Sequence, residues 1–249
     1  MGQALPHNRA WYRRLRIHGA RRSVERSTRV VAVSEAMMAQ VRADVPTLGE
    51  RGVVVQSGRP EWVDGEEPPV GLPVSGLDYL LSLANDAPHK RLDDLVLAWG
   101  RAFGDAGAEA PALVFVGDLP AARCAEQRAL VPAACATACS TPARSSAPRC
   151  CAGSWPTLAM VATSALEATP HARRGGRFGC PLVLSDIPPH RETATDHPFA
   201  YVPVGAVDAL AEVLPRVVVE GDRTPWEWPL SWDDHARELI GVWEAAAGG

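Results

Sequence analysis

The chain has 249 residues, enough for one large or two modest domains around a real core. With 47% hydrophobic and 22% charged residues and a net charge of −4, its composition is that of a globular protein. No apolar run approaches the ~20 residues that span a bilayer, no signal-peptide core opens the chain, and the acidic balance without a recognition motif argues against nucleic acid; the cytoplasm is the expected location.

Charge is unevenly spread. Eight arginines between Arg9 and Arg29 face a single Glu25. Two readings are open: the solvated face of a surface helix, or a basic helix making peripheral contact with anionic lipid headgroups. Val30–Val33 then reads as a buried strand, and Ser34 suits the N-cap of a helix over Glu35–Asp44. Val53–Val55 is a second strand, stopping at Ser57-Gly58, and 59–76, rich in Pro, Gly and Glu, reads as a linker. Tyr79–Ala84 is a third strand. Leu92, Leu95, Val96, Trp99 and Phe103 follow at helical spacing. Ala112–Val116, ending at Gly117-Asp118, and Pro181–Leu184, ending at Ser185-Asp186, are further strands. A last helix over Trp232–Ala246 opens on a capping-box pattern, Ser231 with Asp234. Its apolar set of Trp232, Ala236, Leu239, Ile240 and Trp243 fits one buried face.

This rhythm implies an α/β fold with a Rossmann-like parallel sheet and flanking helices. Ligands of such sheets bind beyond the carboxyl ends of the strands. Gly58, the 85–90 loop, Gly117-Asp118 and Ser185-Asp186 are therefore expected to face one crevice. That loop carries Lys90, the only lysine among 25 Lys and Arg residues, between His89 and Arg91. Cations are disfavoured where a helix begins, although Asp93 and Asp94 offset this. A basic cluster there suits an anion that shares the helix's free N–H groups, and lysine offers phosphate a compact charge. An ordinary pairing with Asp93 or Asp94 is the alternative.

Six blocks in order resemble glycosyltransferase family 4, the GT-B, group 1 glycosyl transferases: "STRVVAVSEAMMAQV", "GVVVQSGRPEW", "YLLSLANDAPHKRLDDLVLAWGRAF", "ALVFVGD", "GCPLVLSDIPPHRE" and "WDDHARELIGVWEA". The resemblance covers roughly 27–118 and 179–246. It implies two Rossmann-like domains facing a cleft, a nucleotide-sugar donor as substrate with no resident cofactor, and transfer with retention of configuration without an obligatory metal. By this resemblance Lys90 contacts the donor diphosphate with Arg91 as a weaker helper, Gly58 lets backbone approach the donor, Gly117 ends the strand beside the nucleotide, and Glu192 opens a helix behind the donor-sugar loop. The division it implies is a remnant N-terminal domain over 1–58, a linker over 59–76, a nucleotide-sugar-binding domain over 77–230, and a C-terminal helix over 231–249 returning to the N-terminal part.

Two departures qualify it. The strand normally last in the N-terminal domain begins at Val30, so most of that domain, with its acceptor site, is expected to be missing; His7 and His18 have no motif around them. The segment 119–178 does not resemble the family and is expected to be disordered or irregular. It lacks the loop in which, by the resemblance, two glutamates are separated by seven intervening residues, the first holding the donor sugar and the second the ribose. Counting back from Gly179, those places fall at Leu166 and Arg174, with Glu167 one residue off. The segment holds five of the six cysteines without C-x-x-C spacing, which argues against a zinc site, so no metal is expected. Its Ala, Arg, Pro and Ser content matches out-of-frame translation of a GC-rich gene; a genuine divergent insertion is the alternative. The Trp226-Glu227-Trp228 cluster reads as packing rather than a sugar platform. The expected function is a retaining glycosyltransferase, truncated and of doubtful activity, acting on an acceptor glycan, lipid or small molecule. The competing expectation is a catalytically dead fragment that at most binds a nucleotide sugar or a protein.

Overall fold

A computed structural model of the chain describes residues 10–59, 78–83, 85–117, 119–131, 137–140, 157–168 and 172–248. The chain forms two compact units, 1–58 with 230–249, and 59–229. Apart from Arg59, the expected linker lies outside the described residues, as do Asp118 and His7.

The smaller unit begins with α1 (Ala10–Arg26), followed by β1 (Val30–Ala32), α2 (Glu35–Asp44) and β2 (Gly52–Val54). Strands β1 and β2 pair in parallel, and α2 is capped by Ser34, whose hydroxyl accepts from the Met37 N–H at 3.2 Å. Met38, Leu48 and Ala32 form its small core. Arg51 donates to the carbonyls of Val24, Glu25 and Ser27, satisfying the end of α1 that the helix itself leaves unpaired.

The larger unit runs β3 (Tyr79–Leu83), α3 (Leu92–Phe103), β4 (Ala112–Val116), α4 (Ala121–Arg128), β5 (Thr137–Ser140), β6 (Thr157–Ala162), α5 (Ala172–Arg177), β7 (Leu182–Ser185), α6 (Pro188–Ala194), β8 (Ala200–Val202) and α7 (Val207–Glu220). Six strands form one sheet in the order β5-β4-β3-β6-β7-β8, every pairing parallel. All six carboxyl ends therefore lie on one edge. Both faces of the sheet are covered, as a parallel sheet requires. Leu80, Leu113, Phe115 and Val161 pack under α3 and α7, where Leu95, Val96, Trp99, Leu214 and Val217 are almost wholly buried. Tyr79, Leu81, Val114, Met160 and Leu184 fill the other face. The switch of face at each residue of β3 follows the strand's period of two.

The stretch 119–178, expected to be irregular, supplies α4, β5, β6 and α5, joined where it is described by irregular residues such as 163–168. Strand β6 stands between β3 and β7, with Ala159, Met160 and Val161 at most 1% exposed. Helix α4 buries Cys124 and Gln127, and Leu119 and Val131 beside it are buried too.

The smaller unit is completed by α8 (Trp232–Ala247) with the full capping box: the Ser231 N–H donates to Asp234 at 2.8 Å, and the Asp234 N–H donates back to Ser231 Oγ at 3.1 Å. The Ser231 hydroxyl, which also donates to the Asp234 carboxylate at 2.6 Å, and then the Ser231 N–H and Arg237 hold that carboxyl down at about 2. The expected buried stripe is not found: Trp232, Ile240 and Trp243 are 44%, 48% and 61% exposed. Instead Gly241, Val242 and Ala245 line a cleft of about 480 Å³ with Val53–Val55. A two-stranded sheet is too narrow to cover a broad helix stripe, and the small side of α8 lies at the strands.

Trp99 fixes α3 to the larger sheet: it is wholly buried and its indole N–H donates to the Pro111 carbonyl at 2.9 Å. Trp99→Ala is expected to cost about 3–5 kcal/mol of stability, read as a lower urea midpoint; a midpoint unchanged from wild type contradicts this packing.

Candidate functional site

The site is built where β3, β6 and β7 end. After β3 the chain makes a short 3-10 turn over Pro88–Lys90. Arg91 then takes a left-handed conformation (φ 50°, ψ 43°), unusual for a residue with a Cβ, and α3 starts at Leu92. Lys90 is thereby turned inward: it is 7% exposed, and its ammonium donates to Glu167 in a short ion pair. Arg91 is only half-buried and pairs with Asp94 on the first turn of α3. The two adjacent cations thus have separate partners.

Glu167 lies in the loop after β6, and that loop is laced to the Lys90 turn. The Thr163 hydroxyl donates to the Lys90 carbonyl at 2.9 Å, and the Ala165 N–H donates to the His89 carbonyl at 2.7 Å. The Ser164 hydroxyl donates to the same Glu167 oxygen that Lys90 holds, at 2.7 Å. Beneath them Ser185, the last residue of β7, donates its hydroxyl to the Ser164 carbonyl at 2.5 Å. His190 closes the network: its Nδ1 lies 2.7 Å from the Ser185 carbonyl and 3.1 Å from Ser185 Oγ. A carbonyl can only accept, so Nδ1 carries the proton.

Burial is the main influence on His190 and pushes its pKa below 6.5; the Ser185 hydrogen bond and the Glu167 charge oppose this, and Lys90 adds to it. The buried ring is therefore neutral at pH 7.

Arg123, from α4, steadies the turn from outside. Its guanidinium reaches both Asp93 oxygens at 2.7 and 2.8 Å, Asp86 at 3.0 Å and Glu126 at 3.2 Å. These bonds, led by Asp93, raise its pKa above the ordinary arginine value against the opposing effect of burial. Asp86, Pro88, Arg91, Asp93 and Arg123 line a cleft of about 430 Å³, within the size range of small-ligand sites.

Of the expected site residues, Lys90, Arg91 and Gly117 stand at this edge. Gly117 ends β4 with φ 150°, a backbone state that favours glycine. Gly58 belongs to the smaller unit, where a Cβ would come within 2.6 Å of the Trp232 nitrogen; close approach of the α8 start explains this glycine. Glu192 is half-buried, the fifth residue of α6 rather than its first. Arg174 falls in α5. Sequence reasoning set Glu167 aside for its register, and passed over Ser164, His190 and Arg123; the one available signal was the Ser-Ala-Leu-Glu run directly after an apolar stretch.

Trp226 packs on the lower face of the sheet and stacks on His197 at 4.5 Å between ring centroids, away from this network. Cys180 is buried, which pushes its thiol up to about 12. Among the described residues no three His, Cys, Asp or Glu side chains gather as a metal site, and no helix is long and apolar enough to cross a membrane.

No protein-family model matches the chain, and no curated protein matches its sequence. Its fold is shared with solved glycosyltransferase structures. A variant of TarM from S. aureus, in complex with fondaparinux, α-GlcNAc-glycerol and UDP, is 13% identical with a TM-score of 0.60, covering 95% of this chain and 46% of TarM. HepE from Anabaena in complex with UDP-glucose is 14% identical with a TM-score of 0.64, covering 98% of this chain and 68% of HepE. WaaG, a glycosyltransferase involved in lipopolysaccharide biosynthesis, is 15% identical with a TM-score of 0.60, covering 98% of this chain and 69% of WaaG. The chain spans about half the length of TarM. Its fold is the Rossmann-like parallel α/β fold of GT-B glycosyltransferases.

Stability should depend on pH through His190. Because its folded pKa lies below its unfolded one, its contribution is complete above pH 6.5 and is lost as pH falls below that value. His190→Asn keeps an N–H for the Ser185 carbonyl and removes the titration. The expected result is a smaller loss of urea midpoint between about pH 7.5 and about pH 5.5 than in wild type; equal losses contradict a neutral buried His190.

Proposed function

We propose that this chain is a retaining glycosyltransferase of the family 4 type, taking a nucleotide-sugar donor as substrate. The observation that carries the reading is the buried Lys90 at the carboxyl edge of the parallel sheet, on the turn that opens α3. Ligands of open α/β sheets bind beyond that edge. TarM and HepE, which share the fold, were solved with UDP and UDP-glucose respectively.

In this proposal Lys90 meets the donor diphosphate. As the bond between the anomeric carbon and the diphosphate oxygen breaks, negative charge grows on the departing phosphate. A pre-placed ammonium in a largely dry site stabilises that charge more than it stabilises the ground state. Arg91, held by Asp94, adds positive potential at the rim. Gly117 lets the backbone turn away at the end of β4, beside the expected nucleotide position. The Glu167 loop then stands where the donor sugar would lie. The acceptor is a glycan, a lipid or a small molecule. The Arg-rich α1 supports peripheral contact with anionic lipid on the cytoplasmic side; Ile17 within it is 62% exposed.

One observation favours a second reading, donor binding without turnover: no glutamate lies between Glu167 and Gly179, so the second, ribose-holding glutamate that the resemblance implies is lacking on either register. The two readings separate in one assay. With a panel of nucleotide sugars that includes UDP-glucose, the first expects hydrolysis or transfer, reduced about 100-fold or more by Lys90→Ala, the scale on which removing one transition-state donor acts. Wild-type turnover in Lys90→Ala would remove the assigned role of Lys90. Donor binding with no turnover in wild type would establish the second reading.

A further inference from the structure

We infer that Glu167 is a resident counter-ion that occupies the phosphate position on Lys90 in the empty site and must swing away for a diphosphate to bind. The inference rests on the reading of Lys90 as the diphosphate ligand.

Two features distinguish this pair from a permanent structural bridge. First, the backbones are joined independently of the carboxylate: Thr163 holds the Lys90 carbonyl and Ala165 holds that of His89, so the turn keeps its place when Glu167 leaves. Second, Glu167 is carried on a loop whose neighbours are not packed. Ala165 and Ala168 are exposed and Leu166 is 57% exposed, so the side chain can rotate outward without opening the core.

The chemistry makes the competition direct. An ammonium is a compact charge with three donors, and carboxylate and phosphate oxygens seek the same ones. While Glu167 holds Lys90, the buried cation is neutralised and its desolvation is offset. A diphosphate must displace one anion to gain the other, so Glu167 lowers the site's affinity for phosphate. The same pair keeps Lys90 oriented before the donor arrives. Glu167 is thus a positioning residue whose removal should tighten phosphate binding, the opposite of what loss of a merely structural contact would do.

The test is calorimetric titration of the full chain with inorganic pyrophosphate, which has no sugar for Glu167 to touch. Glu167→Gln keeps the shape and an oxygen for Ser164 to donate to, but removes the charge. It is expected to bind pyrophosphate about tenfold more tightly than wild type, and Lys90→Met combined with it should abolish the gain. Glu167→Gln also leaves Lys90 without a counter-charge, so its melting temperature should fall, and pyrophosphate should raise it more than in wild type. If that variant does not fold, Ser164→Ala loosens the carboxylate and should tighten binding in the same direction. Equal or weaker binding by these variants, with wild-type binding still dependent on Lys90, overturns the counter-ion role alone. No pyrophosphate or UDP binding by wild type and Glu167→Gln, with Lys90→Met without effect, overturns both this inference and the reading of Lys90.

Discussion

The ion pair between Lys90 and Glu167 is the constraint around which the candidate site is arranged. Each partner is about nine-tenths buried at its side chain, and a charge so placed costs several kcal/mol unless matched. The turn after β3 and the loop after β6 must therefore be kept in one register. Thr163, Ala165 and Ser164 supply that register through hydrogen bonds, and Ser185 with His190 supports it from β7. Strands β3, β6 and β7 are neighbours in the sheet, so the pair is also a consequence of strand order. Had β6 been placed elsewhere, Glu167 would not lie beside Lys90.

The rest of the larger unit keeps that edge rigid and partly dry. Trp99 and the α3–α7 layer hold the start of α3 against the sheet, while Arg123 ties Asp86 and Asp93 across the turn that carries Lys90. Arg123 comes from α4, within the stretch whose composition looked least like a folded domain. A static lysine beside a mobile loop residue is an economical arrangement for an anion site: the cation needs no reorganisation, and the moving part is a side chain.

Much of this architecture was legible in the sequence. Tyr79–Leu83, Ala112–Val116 and Leu182–Ser185 are apolar runs long enough to be read as buried strands, and the spacing of Leu92, Leu95, Val96 and Trp99 marks one face of α3. Ser34 and the Ser231–Asp234 box mark helix starts because their side chains can satisfy N–H groups the helix cannot. Strand β6 was hidden because its run Thr-Leu-Ala-Met-Val-Ala is short, sits between Ser154-Trp155-Pro156 and Thr163-Ser164-Ala165, and contains alanines that carry little hydrophobic signal. Glu167 was set aside for a different reason. Its place was counted back from Gly179, which presumes a loop of fixed length, whereas its position is set by the end of β6. The apolar stripe of α8 misled in turn, since spacing tells which residues share a face but not whether a surface exists to cover it. His190 had no signal at all: its role depends on a carbonyl five residues earlier that only the fold brings back to it.

The most direct test of this account is a crystal structure of the chain with UDP. The account expects a phosphate oxygen within hydrogen-bond distance of Lys90 Nζ, the Glu167 carboxylate rotated away from it, and the turn over Pro88–Arg91 unchanged. UDP bound elsewhere with the Lys90–Glu167 pair intact would contradict it.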